Sequence, residues 1–200
     1  MKGKISLSFM SKSALAGFLI ALAGAIYVNS TNKFIGAALF SLGLISVILF
    51  GANLWTGKVG YVDSKDSLHA VLIMFGINMI IAFLVGLVYK FGIGATSAFA
   101  SRLDKTWYRV FLDGIGTGVC IYAAVEGYKK SKSLIPVILG VMAFILAGFE
   151  HSVADAFYYG SGELTWKGLG YIGLISLGNA IGSLTVNRLQ YLKGKDEEAC

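Results

Sequence analysis

The chain has 200 residues, of which 56% are hydrophobic and only 14% are charged, and its formal net charge is +6. A water-soluble domain of this composition would leave too much apolar surface in water, so the composition excludes a soluble protein and indicates an integral membrane protein. The positive charge does not indicate a nucleic-acid partner, because no basic run alternates with aromatic residues as RNA-binding surfaces do.

Six apolar segments are long enough to cross, or nearly cross, a hydrocarbon core about 30 Å thick. In chain order, these predicted helices cover residues 13–29, 34–56, 67–90, 107–128, 133–158 and 166–192. The 26 glycines fit this class, because small residues allow membrane helices to pack closely. We predict an all-α protein that crosses the lipid bilayer six times as one domain over 1–200, with a polar C-terminal tail at 193–200.

Basic residues are distributed unequally among the loops that join the six segments. If both termini are cytoplasmic, eleven of the 17 lysine and arginine residues lie on the cytoplasmic side and six on the opposite side. An excess of basic residues on the cytoplasmic side is the rule for multi-pass membrane proteins. The sequence therefore predicts a multi-pass protein with both termini in the cytoplasm.

The second segment of each half is interrupted by glycine and polar residues. The halves are 1–95 and 106–200, and the interruptions lie at 51–58 and 148–152. Non-helical main chain at membrane depth is tolerated only where protein or a water-filled cavity accepts its hydrogen bonds. Three helices per half with matching interruptions indicate an inverted repeat with a pore between the halves. The alternative is two kinked helices that pack for shape alone.

Three motifs at these positions resemble those of the formate/nitrite transporter family, which includes formate, nitrite and hydrosulfide channels. They are Gly148-Phe149-Glu150-His151-Ser152-Val153-Ala154, Gly51-Ala52-x-Leu54-x-Thr56-Gly57 and Gly178-Asn179-x-Ile181-Gly182. Their order and spacing are similar to the family's over nearly the whole chain. The resemblance implies an aquaporin-like fold, with an inverted 3+3 repeat and broken second and fifth helices. It also implies a homopentamer in a prokaryotic-type inner membrane, with one anion or weak-acid pore per protomer.

The resemblance further implies which residues line the pore. Thr56 in the broken second helix and His151, hydrogen-bonded near it, would form the centre of the path. The remaining implied residues are the apolar constrictions Leu54, Trp55 and Phe149, and Lys105, which would give the vestibule a positive charge.

The chain departs from the family pattern at several polar positions. Asn53 and Lys58 stand where relatives have an acidic residue and an asparagine. Gly118 stands where an asparagine would hold the histidine, and Ala154-Asp155-Ala156 replaces an Ala-Asn-Met sequence. Because these changes alter charge near the implied pore, the resemblance implies the fold and the class of channel but not the substrate.

The residue types themselves favour a role for His151 in permeation. An ionisable side chain at membrane depth is costly and usually faces a cavity or path, although a lone histidine on an apolar face is often a packing residue. A helix that starts beside it would direct N–H groups and a positive dipole end toward anions, and would disfavour the imidazolium. Thr56 offers a hydroxyl that faces the pore, closes the local turn, or does both.

Three charged residues near His151 have more than one interpretation. Glu150 is expected to cap the helix that starts after it. Asp155 lies four residues after His151, so it either pairs with His151, pairs with Lys58, or lies in the outer vestibule and does neither. Lys58 is either a fixed charge in the pore or a residue of the cytoplasmic surface.

Asn179 is a candidate for the substrate path, but its neighbours favour a structural role. Gly178 and Gly182 are small residues four apart, which is typical of closely packed membrane helices, and an amide between them can bond across the interface.

These observations together predict a passive channel for small monovalent anions or their conjugate weak acids, such as formate, nitrite, hydrosulfide or a short carboxylate. Fixed positive charge would concentrate the anion, and apolar constrictions would favour passage once that charge is neutralised. A pore for water, a polyol or a urea-like solute is the alternative within the same fold. An enzyme, a metal site or a cofactor is not predicted, because His151 lacks an accompanying nucleophile or metal-ligand spacing.

Overall fold

The computed structural model describes residues 5–197, and describes side chains over residues 5–190. Every regular element in this part of the chain is helical. Lys2, Lys4 and the polar tail predicted at 193–200 lie outside the residues whose side chains are described.

The elements follow one another through short connections. In chain order they are α1 (Leu7–Val28), α2 (Lys33–Leu49), α3 (Trp55–Lys58), a 3-10 turn (Val59–Tyr61), α4 (Lys65–Gly92), α5 (Ala100–Leu103), α6 (Trp107–Ser131), α7 (Ile135–Leu146), α8 (Ser152–Ser161) and α9 (Trp166–Glu197).

Within the described residues, four helices are long and apolar enough to cross a membrane: α1, α4, α6 and the Trp166–Gln190 part of α9. By contrast, α2 has 17 residues and α7 has 12, which correspond to lengths of about 25 Å and about 18 Å at 1.5 Å per residue. Neither spans a core about 30 Å thick without the helix that follows it. Large apolar side chains such as Leu72, Ile80 and Phe91 are exposed on the protomer, as expected of a surface covered by lipid or by another subunit.

Helices α2 and α7 end in the same way. Gly51 and Gly148 adopt the left-handed conformation, with φ of 60° and 73°, which glycine adopts without the steric cost of a Cβ. The N–H groups of each glycine and of the next residue donate to carbonyls three and five residues earlier, at 2.9 to 3.2 Å. These paired hydrogen bonds close a helix C-terminus. The segments predicted at 34–56 and 133–158 are therefore each divided into a longer and a shorter helix.

The helices of the two halves are interleaved. Helix α1 packs on α2 and α4, α6 packs on α7 and α9, and α2 contacts α7 directly. Helix α8 packs on α4, α1 and α9, while α3 packs on α4, α6 and α9. The two short helices that follow the breaks are thus enclosed by continuous helices from both halves of the chain.

Glycines bring α6 and α9 into main-chain contact. A Cβ atom on Gly114 would lie 2.8 Å from the carbonyl oxygen of Ile175, and one on Gly178 would lie 2.5 Å from that of Phe111. Small residues permit this approach at membrane helix interfaces. The Gly178 and Gly182 pair that the sequence indicates as a close-packing surface lies at this contact.

We predict that Gly178→Ala destabilises the purified protein, because the added methyl group overpacks the α6–α9 contact at a cost of about 1–3 kcal/mol. The control is Gly173→Ala in the same helix, where the described structure places no neighbouring atom within 4 Å of the added Cβ. Thermal unfolding in one detergent should show a lower midpoint for Gly178→Ala alone. Equal midpoints for the two variants would contradict the close approach of the helices.

Candidate pore site

Two cavities open at opposite ends of α2, and each lies beside one helix break. The α7–α8 cavity has a volume of about 270 Å³, and the α2–α3 cavity has a volume of about 230 Å³. Phe40 borders the first and Leu44 borders the second, and these residues are one helical turn, about 6 Å, apart along α2. Polar lining residues include Lys33, Arg102, Lys105, Glu150, His151 and Asp155 in the α7–α8 cavity, and Lys58, Tyr128 and Lys129 in the α2–α3 cavity.

A buried hydrogen bond lies between these cavities and joins α3 to the start of α8. Thr56 Oγ1 and His151 Nε2 are 2.9 Å apart, and the residues are only 1% and 3% exposed. His151 also caps α8, because its Nδ1 accepts the Ala154 N–H at 3.3 Å. Since Nδ1 is an acceptor, the neutral imidazole carries its hydrogen on Nε2 and donates it to Thr56. Among the described residues no acceptor is found for the Thr56 hydroxyl hydrogen, and Thr56 itself is not among the residues that line either cavity.

The surroundings of His151 favour the neutral imidazole. Phe144 stacks on the imidazole with ring centres 5.7 Å apart and an angle of 28° between the planes. Phe40 packs edge-on against Phe144, with centres 5.9 Å apart. A proton on Nδ1 would break the hydrogen bond from Ala154 and would place positive charge at the positive end of α8. The site is therefore a hydrogen-bond donor held in an apolar environment.

Asn179 of α9 holds the break between α7 and α8. Its Nδ2 donates to the carbonyls of Gly114 at 2.8 Å and Glu150 at 2.9 Å, and its Oδ1 accepts the Ser152 N–H at 3.0 Å. The side chain is fully buried and is not among the residues that line the two cavities. Instead of facing a solute, Asn179 satisfies main-chain groups that the break leaves without helical partners.

Asn78 of α4 holds the first break in the same way, and the sequence reasoning missed it. Its Nδ2 donates to the carbonyls of Ser13 at 2.7 Å and Asn53 at 3.0 Å, and its Oδ1 accepts the Trp55 N–H at 2.8 Å. The available signal is a single amide in the apolar run 67–90, because a buried amide there must find partners.

Charged side chains form a compensated network at the α7–α8 cavity. Lys105 Nζ lies 2.7 Å from Asp113 Oδ2 and 2.5 Å from Glu150 Oε1. Arg102 Nε lies 2.9 Å from Glu150 Oε2 and 3.1 Å from Asp155 Oδ1. Burial alone would lower the pKa of Lys105, but its hydrogen bonds to Asp113 and Glu150 outweigh burial and raise that pKa above its ordinary value. Lys105 thus lines the cavity as predicted, but carboxylates balance its charge.

The structure corrects the prediction for Glu150 and selects among the alternatives left open for Asp155. Glu150 does not cap α8, because His151 occupies the N-cap position and Glu150 faces two cations instead. The side chain of Asp155 pairs neither with His151 nor with Lys58, because the guanidinium of Arg102 lies within reach and carries a full charge. The Asp155 N–H instead donates to the His151 carbonyl at 2.8 Å in the first turn of α8.

Two of the three residues predicted as apolar constrictions line the cavities on either side of the Thr56–His151 bond. Leu54 lines the α2–α3 cavity, and Phe149 lines the α7–α8 cavity. Trp55 is not among the residues that line either cavity, because its ring packs on Phe75 with centres 4.7 Å apart. The structure therefore adds Phe40 and Phe144 as apolar residues beside the histidine.

Lys58 lines the α2–α3 cavity, where its Nζ donates to Asn53 Oδ1 at 2.7 Å. Two of the positions at which the chain departs from the family pattern are thus hydrogen-bonded to each other. Gly118 faces the main chain of α9 near Asn179, where a Cβ would overlap its neighbours. Position 118 therefore supplies no side chain that could bond His151.

Arg102 is a cavity residue that the sequence reasoning did not identify. It lies in α5, in the linker between the two halves, within no recognised motif. Only the tertiary fold brings it to Glu150 and Asp155, which lie 48 and 53 positions further along the chain.

Comparison with known proteins identifies similar chains. A family model described as formate/nitrite transporter matches residues 3–192. The uncharacterized transporter YrhG of Bacillus subtilis is 30% identical, over 82% of this chain and 72% of its own length. The formate channel FocA of Haemophilus influenzae is 24% identical, over 80% of this chain and 67% of its own length.

Two solved structures have the same fold. One is described as an FNT family ion channel, with a TM-score of 0.83, 21% identity, and coverage of 94% of this chain and 90% of that one. The other is described as a pentameric formate channel with formate bound, with a TM-score of 0.73, 19% identity, and coverage of 92% of this chain and 95% of that one.

We predict that Asn179→Leu severely destabilises the protein, because it leaves two carbonyls and one N–H without partners, at about 1–3 kcal/mol for each group. The control is Asn187→Leu in the same helix, which removes the hydrogen bond to the Tyr122 hydroxyl. Thermal unfolding midpoints and the yield of assembled protein should both fall further for Asn179→Leu. Asn78→Leu should resemble Asn179→Leu, and a midpoint equal to that of the control would contradict the role assigned to these amides.

Proposed function

The chain belongs to the formate/nitrite transporter family, and on this basis we propose that it is a passive channel for small monovalent anions or their conjugate weak acids. Formate is the first candidate, because relatives of this chain are named as formate channels. Nitrite, hydrosulfide and short carboxylates share its size and charge. The observation that carries the proposal is the buried Thr56–His151 hydrogen bond between two cavities.

The cavities would bring the anion to both sides of this bond. Lysine side chains line each cavity, Arg102 also lines the α7–α8 cavity, and fixed positive charge raises the local concentration of anions. Between the cavities Phe40, Phe144 and Leu44 form an apolar zone. A bare anion is costly there, so a hydrogen bond or a proton must compensate its charge.

The centre of the path would act by donating a hydrogen bond. The His151 Nε2–H group polarises the Thr56 hydroxyl, whose hydrogen then points to the solute. Because Nδ1 accepts the Ala154 N–H, the neutral imidazole carries its only ring N–H hydrogen on Nε2, and loss of that hydrogen would leave an imidazolate. The geometry therefore supports hydrogen bonding to the anion rather than release of a proton from histidine, so a weak acid would carry its own proton.

We propose that the chain crosses the membrane six times, as two inverted three-helix halves at 1–95 and 106–200. The excess of basic residues on one side supports a prokaryotic-type inner membrane with both termini, and the α2–α3 cavity, on the cytoplasmic side. We propose a homopentamer with one pore in each protomer, which is supported by the pentameric formate channel of the same fold, and the exposed apolar surface of the protomer fits cover by lipid or by another subunit.

A neutral solute is the second candidate. Glu150, Asp155 and Asp113 offset the cations of the α7–α8 cavity, so the electrostatic preference for an anion is weaker there than the lysine content alone indicates. A urea-like solute or a polyol could also accept the Thr56 hydrogen bond.

Flux into liposomes distinguishes these candidates. We predict that formate, nitrite, hydrosulfide or acetate enters liposomes that contain the purified protein faster than it enters protein-free liposomes. The rate of entry should increase toward acid pH. Urea and glycerol should enter at the protein-free rate. Faster entry of urea or glycerol than of every anion would establish the neutral-solute alternative, and native mass measurement of the same sample tests for five subunits.

We predict that His151→Asn assembles normally but lowers anion flux about tenfold, which corresponds to one charge-assisted hydrogen bond of about 1.4 kcal/mol. Asparagine is a good N-cap, so α8 should still form. Thr56→Val should cause a similar loss, because it removes the hydroxyl that faces the solute, while the control Thr56→Ser should retain flux. Full flux in Thr56→Val at equal amounts of assembled protein would exclude the hydroxyl from the path.

A further inference from the structure

Arg102 brings a guanidinium from the linker between α4 and α6 into the α7–α8 cavity, which His151 also lines. Its side chain is only 16% exposed. Its guanidinium carbon lies 5.1 Å from the centre of the Tyr158 ring, and its Nη1 donates to the Ala98 carbonyl. The guanidinium is therefore held at a defined place in the cavity.

A single N–H group of Arg102 serves two carboxylates, which leaves the cluster incompletely hydrogen-bonded. Nε contacts both Glu150 and Asp155, but only the contact to Asp155 is a directed hydrogen bond. Glu150 Oε2 and Asp155 Oδ2 are buried and receive no hydrogen bond from any described residue. No hydrogen bond from Arg102 Nη2 is found within residues 5–190. A buried donor or acceptor without a hydrogen-bond partner is costly, so the two oxygens favour a further donor and Nη2 favours a further acceptor.

We propose that Arg102 is an anion-binding residue of the α7–α8 cavity, and that Asp155 is an internal competitor of the anion for its guanidinium. This inference rests on the proposed channel function and specifies where the anion is held before it reaches the Thr56–His151 bond. In the arrangement described, Asp155 accepts the Nε hydrogen bond, and Glu150, which Lys105 also holds, lies against the same N–H group. A small planar carboxylate such as formate replaces Asp155 by accepting from Nε and Nη2.

The chemistry of the two cations in the cavity favours Arg102 over Lys105. A guanidinium offers parallel N–H groups that match a carboxylate in a two-pronged contact, whereas an ammonium acts as a point charge. Lys105 Nζ is already held by Asp113, Glu150 and the Gly148 carbonyl. Arg102 still has an N–H group to offer.

The competition predicts a dependence on pH. When a weak acid transfers its proton to Asp155 Oδ2, the O–H bond of the acid breaks, an O–H bond forms on Asp155, and the resulting anion pairs with Arg102 without a change in net charge. A neutral Asp155 no longer competes, so the apparent affinity for the anion falls as pH rises.

The charged and titratable groups that share this cavity with Asp155 are Tyr27 of α1, Lys33 of α2, Arg102 of α5, Lys105, Glu150, His151 and Tyr158 of α8. Helices α4 and α9 contribute no charged or titratable side chain to the described lining of this cavity.

Binding of ¹³C-labelled formate to the assembled protein, measured by NMR line broadening, tests the proposal. The series runs above about pH 5, where a simple carboxylate stays largely ionised. Asp155→Asn should bind formate roughly tenfold more tightly than the unmodified protein near neutral pH, and should lose most of the pH dependence. Arg102→Gln should bind it roughly tenfold more weakly at the acid end.

The matched control is Arg188→Gln, which alters an exposed arginine that donates to the Val62 carbonyl and is not among the residues that line the α7–α8 cavity. Its affinity should equal that of the unmodified protein. Unchanged binding in Arg102→Gln overturns the anion site, and unchanged binding in Asp155→Asn overturns the competition. If Asp155→Asn does not assemble, the pH dependence of the unmodified protein decides, because a flat profile contradicts competition. Liposomes that carry urea but not formate would reject the channel proposal itself, independently of these affinities.

Discussion

Helices α2 and α7 end inside the apolar part of the fold. The rest of the structure depends on how the main-chain groups freed at these two ends find hydrogen-bond partners. Lipid offers no hydrogen bonds, so the protein must supply them. Asn78 and Asn179 each do so with two donors and one acceptor from a neighbouring continuous helix. With these contacts in place, α3 and α8 start at defined points. The Thr56–His151 bond and the cavities on either side of it are positioned by this support.

The apolar segments and their interruptions were predictable because their signals are local. Length and hydrophobicity define a span, and a glycine followed by polar residues marks where a helix stops. The partners that stabilise those interruptions were less visible. Asn179 stands within a recognisable motif, whereas Asn78 stands alone in an apolar run. Each reaches a carbonyl 65 positions earlier in the chain, on Ser13 or Gly114, and such a pairing depends on helix packing that no local pattern contains.

The site was predictable where one residue type has few uses at membrane depth, as with His151. It was not predictable where several charges compete for one another. Glu150 was expected to cap the next helix and the partner of Asp155 was left open, whereas their cations come from the linker between the halves, where Arg102 and Lys105 lie. Coulomb attraction follows distance in space, so charge pairing was the part of the site that required the folded chain.

His151 does two jobs with one ring, since Nδ1 accepts a hydrogen bond at the start of α8 and Nε2 bonds Thr56. Natural variation at this position is therefore filtered twice. Residues that cap a helix but lack a second polar atom would preserve the start of α8 and lose the bond to Thr56, whereas residues that only donate would lose the cap. Few side chains satisfy both demands, so drift at position 151 should be slow even in lineages that change substrate. Adaptation to a new solute would then proceed through the surrounding charges.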